Sequence, residues 1–404
     1  MVWQAREPDQ RSRAEVDIRP GQHLRRLRED PLDAVNRIAG EIGPRRATSL
    51  AEAQAAAYLD GRLRRAGFRV SADPFRAPGS VGVDGLVLAT LALASATLYY
   101  WLPLPSLSLA LWSLAIAAVG LGQDGVPLLA RRRPSQNVIA TRATAQPRWR
   151  VVLLAPLDSP LLMGRLARLL GDDVWPVLGR LVACVLLTLF ALAGLLDVRR
   201  GWWYAQFVPA AYLTLAAIVD VWLLRAPATP GAISHAGALA VLLASAEELS
   251  GLQQTELWAV ALGATSSSTG IGDLLRRYPF DRETTLFIGL EGIGRGVLSY
   301  VTRAGLLGRH AADPLLVQMA AAADANDPLI DAEPRSYGRE RTIVQPLQRS
   351  GRRALLIACL GPDGAIPCQG HRSDTPEVVD ARILDRATRL VVGLVRQIDT
   401  TDVD

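Results

Sequence analysis

The chain has 404 residues, which allows two or three units at about 150 residues each, or one large α/β domain with insertions. Half of the residues are hydrophobic, and Gly and Pro stand near the ordinary level of folded proteins, which excludes collagen-like and wholly disordered chains. The net charge of +5 comes from 44 bases, every one an Arg, against 39 acids interleaved with them, so the single basic face of a nucleic-acid-binding protein is not expected.

Residues 1–35 are polar and read as a flexible N-terminal segment. They carry acids and lack an apolar core, so they do not form a secretory signal. In GPRRATSLAEAQAAAYLDGRLRRAGFRVSADPF, Ser49 is placed as an N-cap, and Glu52 three positions on completes a capping box. The helix is expected to run to Arg65 and stop at Gly67, and FRVSADPF alternates as a strand does. Residues 85–123 contain no charged side chain and fit two membrane spans joined at PLPS, with Tyr99, Tyr100 and Trp101 at one interface.

QNVIATRAT reads as a short strand. WRVVLLAPLD reads as a strand of the sheet interior, its apolar run continuous to Asp158. A second apolar hairpin follows at 175–224, in which Arg180 is expected to snorkel to the interface and Asp220 to lie near a span end. Bases beside the spans (Arg131, Arg132, Arg133, Arg165, Arg168 and Arg225) favour both hairpin turns outside and every hydrophilic block in the cytoplasm. The protein is thus expected to be a multi-pass cell-membrane protein.

From 225 onward helix and strand alternate: HAGALAVLLASAEEL, TELWAVALGA, SSTGIGDLLRRYP, TTLFIGLEG, HAADPLLVQMAAAADA, RALLIACLG and a terminal amphipathic helix with Thr375 as its N-cap. Glu247 and Glu248 read as the solvated end of their helix. Blocks 36–84, 124–174 and 225–404 are expected to make one discontinuous α/β domain. GLEGIGRG lacks the spacing of a nucleotide loop, Ser159 and Ser234 are not in a nucleophile elbow, and Cys184, Cys359 and Cys368 show no zinc-ribbon spacing.

In this order the blocks resemble the zinc-dependent exopeptidase family of bacterial aminopeptidases and glutamate carboxypeptidase. The likeness rests on the opening helix and strand, on QNVIA, on APLDSP where the family has His-x-Asp-Ser, on PGAISHAGALAVLL where it has Gly-Ala-x-Asp, and on GHRSDTPEVVD. It implies a central mixed sheet flanked by helices, here interrupted by two transmembrane hairpins, and it implies two zinc ions with a carboxylate base.

Carried over by position, the family's first His falls on Pro156 and its supporting Asp on Asp158. The metal-bridging Asp falls on Ser234, the catalytic base on Thr265 and the adjacent ligand Glu on Ser266. A later ligand Asp corresponds to Glu291, and the last His to His371. A Ser cannot bridge two cations as a carboxylate does, and a Thr hydroxyl is a poor base. The expectation is a catalytically inactive, metal-free relative with a binding or scaffolding role. The alternative is a membrane-bound peptidase with one zinc ion, to which His235 could add a nitrogen beside Asp158, Glu291 and His371. Expected partners are the lipid bilayer, other membrane proteins or a second copy, and a peptide ligand.

Overall fold

The computed structural model describes residues 30–79, 83–122, 131–163, 174–196, 203–305 and 310–401. Most of residues 1–35, the turn DVRRG, and Arg165 and Arg168 lie outside them. The α/β unit begins earlier than 36. A short helix α1 (Pro31–Val35), capped by Asp30, continues into a π-turn through Ile42, and Val35 and Ile38 are fully buried.

Among the described residues nine strands form one sheet in the order β1-β2-β4-β3-β5-β9-β6-β7, with β8 also pairing β6. They are β1 (Arg69–Pro78), β2 (Arg132–Arg142), β3 (Trp149–Pro156), β4 (Thr255–Leu262), β5 (Thr285–Glu291), β6 (Val297–Ala304), β7 (His310–Ala311), β8 (Glu333–Tyr337) and β9 (Arg353–Leu360). β4, β3, β5 and β9 are parallel neighbours; β1, β2 and β6 run antiparallel to their partners in that row. Runs of Val, Leu and Ala in β3 and β4, and of Leu, Phe and Ile in β5, suit a strand covered on both faces, and those strands are almost wholly buried.

Helix α2 (Leu50–Arg65) starts where the capping box places it: Ser49 accepts from the Glu52 N–H at 3.2 Å. The return bond differs. The Glu52 carboxylate takes the Thr48 N–H at 2.7 Å rather than that of Ser49, because the same carboxylate also reaches the sheet. One face of the sheet packs on α1, α2, α7 (Gly237–Glu248), α9 (Pro314–Asn326) and α11 (Ala381–Thr400). The other face packs on α8 (Thr269–Arg277), α10 (Gln345–Arg349) and an edge-on cluster of Trp258, Phe280 and Phe287. In α7 every residue from Gly237 to Ala246 is buried, as its nearly all-apolar sequence requires.

Two local expectations are corrected. α11 is capped by Asp380, which accepts from the Arg382 N–H at 2.9 Å, and Thr375 opens only a single 3-10 turn. Glu247 is not a solvated end: it binds Arg62 of α2 at 2.6 Å, with both side chains largely buried.

Between β1 and β2, and between β3 and α7, the chain leaves the α/β unit to form four apolar helices: α3 (Val83–Leu98), α4 (Pro103–Gly122), α5 (Val174–Leu195) and α6 (Phe207–Arg225). Two helical stretches, Pro176–Leu195 and Trp203–Arg225, are long and apolar enough to cross a membrane; the apolar parts of α3 and α4 are shorter. The four pack into a bundle in which α3 meets α4 and α6, and α5 meets α4 and α6. Small residues line the contacts: Ala92, Ala96, Ala183 and Ala210 are buried, and Ser95 and Ser106 exchange hydroxyl-to-carbonyl bonds of 2.8 Å.

Arg180 does not snorkel outward. It binds Asp220 at 2.9 Å across α5 and α6, and Asp220 is 2% exposed. Gly85 of α3 lies against this pair so closely that a Cβ there would collide with Asp220 Oδ2.

Candidate functional site

The carboxyl ends of β3, β4 and β5 lie side by side, the place where open parallel sheets hold their sites. Three short segments leave these ends: Leu157–Ser159, Gly263–Ser268 and the turn after Glu291. A cavity of about 350 Å³ opens between them. Asp158, His235, Thr265, Ser266 and Glu291 line its floor; Leu161, Ile343 and Ile366 line its walls, together with Leu223 from the last turn of α6. A helix of the apolar bundle therefore forms part of this rim.

Asp158 is 2% exposed and occupied by its neighbours. Its Oδ1 accepts the Thr265 hydroxyl at 2.5 Å and the Thr265 N–H at 3.2 Å. The Thr265 loop is held in a demanding conformation, with Ala264 and Ser268 on either side at φ 47 and φ 50. Such backbone persists only where the surroundings over-determine it. Glu52 supplies that determination. Its carboxylate accepts the Ala264 N–H at 2.9 Å and the Ser135 hydroxyl at 3.1 Å. Burial, then the charge of Asp158, pushes Glu52 up to about 7 despite these bonds.

Ser234 sits in the π-turn Ala232–Ala236 that leads into α7. Its hydroxyl donates to Asp374 Oδ2 at 2.5 Å, and the other oxygen of Asp374 takes the Ile233 N–H at 2.6 Å. Asp374 is fully buried, and burial raises its pKa. The neighbouring His235 donates from Nδ1 to the Asp158 carbonyl at 2.5 Å, because a carbonyl can only accept. Its Nε2 is thus the lone-pair nitrogen, and burial holds its pKa below the usual value.

Glu291 is 5% exposed and accepts the Ile343 N–H at 3.3 Å. Burial pushes it up to about 8, so near neutral pH it is largely protonated. Pro156 ends β3 and His371 stands outside the cavity lining, exposed, its Nδ1 bonded to Ser373 Oγ at 2.7 Å. The structure thus brings together Asp158, His235, Thr265, Ser266 and Glu291, sets Ser234 next to them in chain and turn, and leaves His371 apart. Among the described residues no group of three His, Cys, Asp or Glu side chains is arranged to hold a metal ion.

Two residues escaped the sequence reading. Asp374 was legible only as part of a motif, not as the partner of Ser234. Arg45 has no exposed surface; its guanidinium donates to the carbonyls of Ile38, Gly43, Leu157 and Pro230 at 2.8–3.1 Å. Desolvation lowers it to about 10, partly offset by the charges of Asp158 and Asp374. It is a fixed cation beneath the site.

The chain matches no family model and no curated protein. Solved structures do resemble it. The zinc aminopeptidase BSAP from Bacillus subtilis superposes with a TM-score of 0.56 at 12% identity, covering 91% of this chain and 94% of that one. An aminopeptidase from Aneurinibacillus sp. strain AM-1 gives 0.54 at 15% identity, covering 91% and 92%. A glutaminyl cyclase from Porphyromonas gingivalis gives 0.52 at 12%, covering 91% and 97%. The fold is that of the zinc exopeptidases.

Proposed function

We propose that the chain is a membrane-spanning protein in which an exopeptidase fold has been turned from hydrolysis to binding. The carrying observation is the pair of hydroxyl-to-carboxylate bonds, Thr265 to Asp158 and Ser234 to Asp374. Dinuclear zinc requires carboxylate, thiolate or imidazole ligands from several directions. Pro156, Ser234 and Ser266 supply none. Asp158 is engaged by the Thr265 loop. These residues do not fit a dinuclear zinc centre.

Membrane insertion is supported by the outward face of the helices. Leu189, Leu192, Val208, Leu215 and Ile218 are all exposed, an apolar surface that water disfavours and lipid accepts. Tyr100, Trp101, Trp203 and Tyr204 cluster at one end of the bundle, as aromatic rings do at a headgroup boundary. On this reading all four helices span as two hairpins, and the α/β unit lies in the cytoplasm with its cavity at the bilayer surface. The cavity binds a peptide segment or serves as a docking site for another membrane protein or a second copy.

A second reading keeps one zinc ion and a hydrolytic role. It is favoured by the lone-pair Nε2 of His235, which shares the cavity with Asp158 and Glu291. Metal analysis of detergent-purified protein, run with a panel of aminopeptide substrates, separates the readings. The binding role expects no stoichiometric zinc and no turnover. One tightly held zinc with metal-dependent cleavage supports the second reading, and two would end the first outright.

A further inference from the structure

A basic recess lies apart from the peptidase-like cleft. It lies at the seam between the α/β unit and the helical bundle, has a volume of about 410 Å³, and is lined by Arg46, Ala47, Thr48, Ser49, Gly79, Arg131, Arg133 and Leu224. Among the described residues three Arg side chains line it and no carboxylate does. Like charges gathered in this way raise one another's energy unless an anion joins them. Arg46 registers this: after burial, the charge of Arg133 is the next influence that lowers its pKa.

The recess is built from the chain junctions. Gly79 follows β1 just before α3 begins, Arg131 and Arg133 lie where the chain returns into β2, and Leu224 is in the last turn of α6. Arg46 locks the seam by donating to the final carbonyls of α6, Leu224 at 2.9 Å and Ala226 at 3.1 Å. The missing side chain at Gly79 makes the space: a Cβ there would stand 3.0 Å from Arg133 Cδ and 3.4 Å from Thr48 Oγ1. Thr48 is β-branched yet held at φ 66, and its Oγ1 is buried with no hydrogen-bond partner among the described residues. Trp222, 42% exposed on the same end of α6, marks the level of a bilayer interface.

We propose that this recess seats the phosphate of an anionic phospholipid headgroup, from the leaflet that faces the α/β domain. Arg131 and Arg133 supply the charge, Arg46 and the hydroxyls of Thr48 and Ser49 complete the polar wall, and the acyl chains run along α6. Basic pockets at membrane surfaces hold phosphate headgroups by this chemistry. The assignment rests on the membrane-spanning reading.

The test uses the full chain. Flotation with phosphatidylcholine vesicles after alkaline extraction examines insertion alone. Native mass spectrometry in mixed phosphatidylglycerol and phosphatidylcholine then reads the lipid retained by the wild type, by Arg131→Gln/Arg133→Gln, and by the charge-matched control Arg65→Gln/Arg382→Gln. Arg46 is spared because it also caps α6. The wild type and the control should retain phosphatidylglycerol over phosphatidylcholine about tenfold, and the seam variant should lose that preference.

Equal retention by wild type and seam variant overturns the site. Full displacement of the lipid by millimolar inorganic phosphate overturns the lipid assignment in favour of a free anion. A chain that fails to float overturns the membrane-spanning reading itself, a result distinct from one that floats without preference.

Discussion

The Ser234 hydroxyl donates to Asp374 at 2.5 Å, joining residues 140 positions apart. The bond ties the turn that launches α7 to the segment that precedes α11. Removing the hydroxyl in Ser234→Ala leaves Asp374 with the backbone N–H groups of Ile233 and of position 234 and the more distant charge of Arg45. The expected cost is about 1–2 kcal/mol. Asp374→Ala removes both acceptors from a fully buried turn and should cost more, about 2–4 kcal/mol. Urea unfolding in detergent ranks the two variants. A smaller loss for Asp374→Ala than for Ser234→Ala would mean that the carboxylate is poorly tolerated where it stands.

Glu291 gives the protein a pH dependence of definite sign. Its folded pKa lies near 8, above the ordinary carboxyl value of 4.5. The folded state therefore binds more protons than the unfolded one between those values. Stability falls as pH rises through that window, and this contribution is constant above it. Glu52, raised to about 7, acts in the same direction over a narrower range. Glu291→Gln keeps an oxygen for the Ile343 N–H and removes the titration. Between pH 5 and pH 9 the variant should lose less stability than the wild type, by roughly 1–3 kcal/mol. Identical pH profiles would show that Glu291 is solvated well enough to ionise freely.

What could be seen beforehand was local. The Ser49 cap, the apolar run of β3 and the nearly all-apolar α7 each announce themselves within a dozen residues, and each forms where expected. β6 and β8 went unread: β6 mixes Ser, Tyr, Thr and Arg, and β8 is five residues containing a Pro, so neither carries a clean period. The site was legible as positions rather than as contacts. Thr265 and Asp158 could each be placed from motif order, but their bond spans 107 positions. Arg45 and Glu52 act across 112 and 212 positions, on Leu157 and Ala264, and no pattern of neighbours encodes that. His371, assigned by a motif, proved to be an exposed turn residue because its segment folds back on Ser373.

The pair Arg180 and Asp220 lies inside the apolar bundle, one turn or so from the seam with the α/β unit. Breaking such a pair leaves a lone buried charge, whereas replacing both partners removes the desolvation cost along with the attraction. Arg180→Leu alone should therefore destabilise by about 3–5 kcal/mol, and Arg180→Leu/Asp220→Leu should recover most of it. Gly85→Ala tests the same spot by volume, because its Cβ has no room beside Asp220. Thermal unfolding in detergent reads all three. A double variant as weak as the single one would point to a role for Asp220 beyond this ion pair.

Reintroducing metal ligands offers the sharpest contrast between a converted site and a dormant one. Ser234→Asp would place a second carboxylate where a hydroxyl now meets Asp374, and two such groups in one buried turn cannot both ionise cheaply. Alone it should destabilise by about 1–3 kcal/mol, with one of the two carboxyls held protonated. Combined as Pro156→His/Ser234→Asp/Thr265→Glu/Ser266→Glu, it restores charged and lone-pair groups at four positions of the site. Zinc should then stabilise the variant and not the wild type, because only a folded site that binds the ion gains from it, by about 2.7 kcal/mol at a hundredfold excess over Kd. Thermal unfolding with and without zinc gives the answer. Equal stabilisation of both proteins would mean that the native residues already hold the metal, and the binding-only reading would fall.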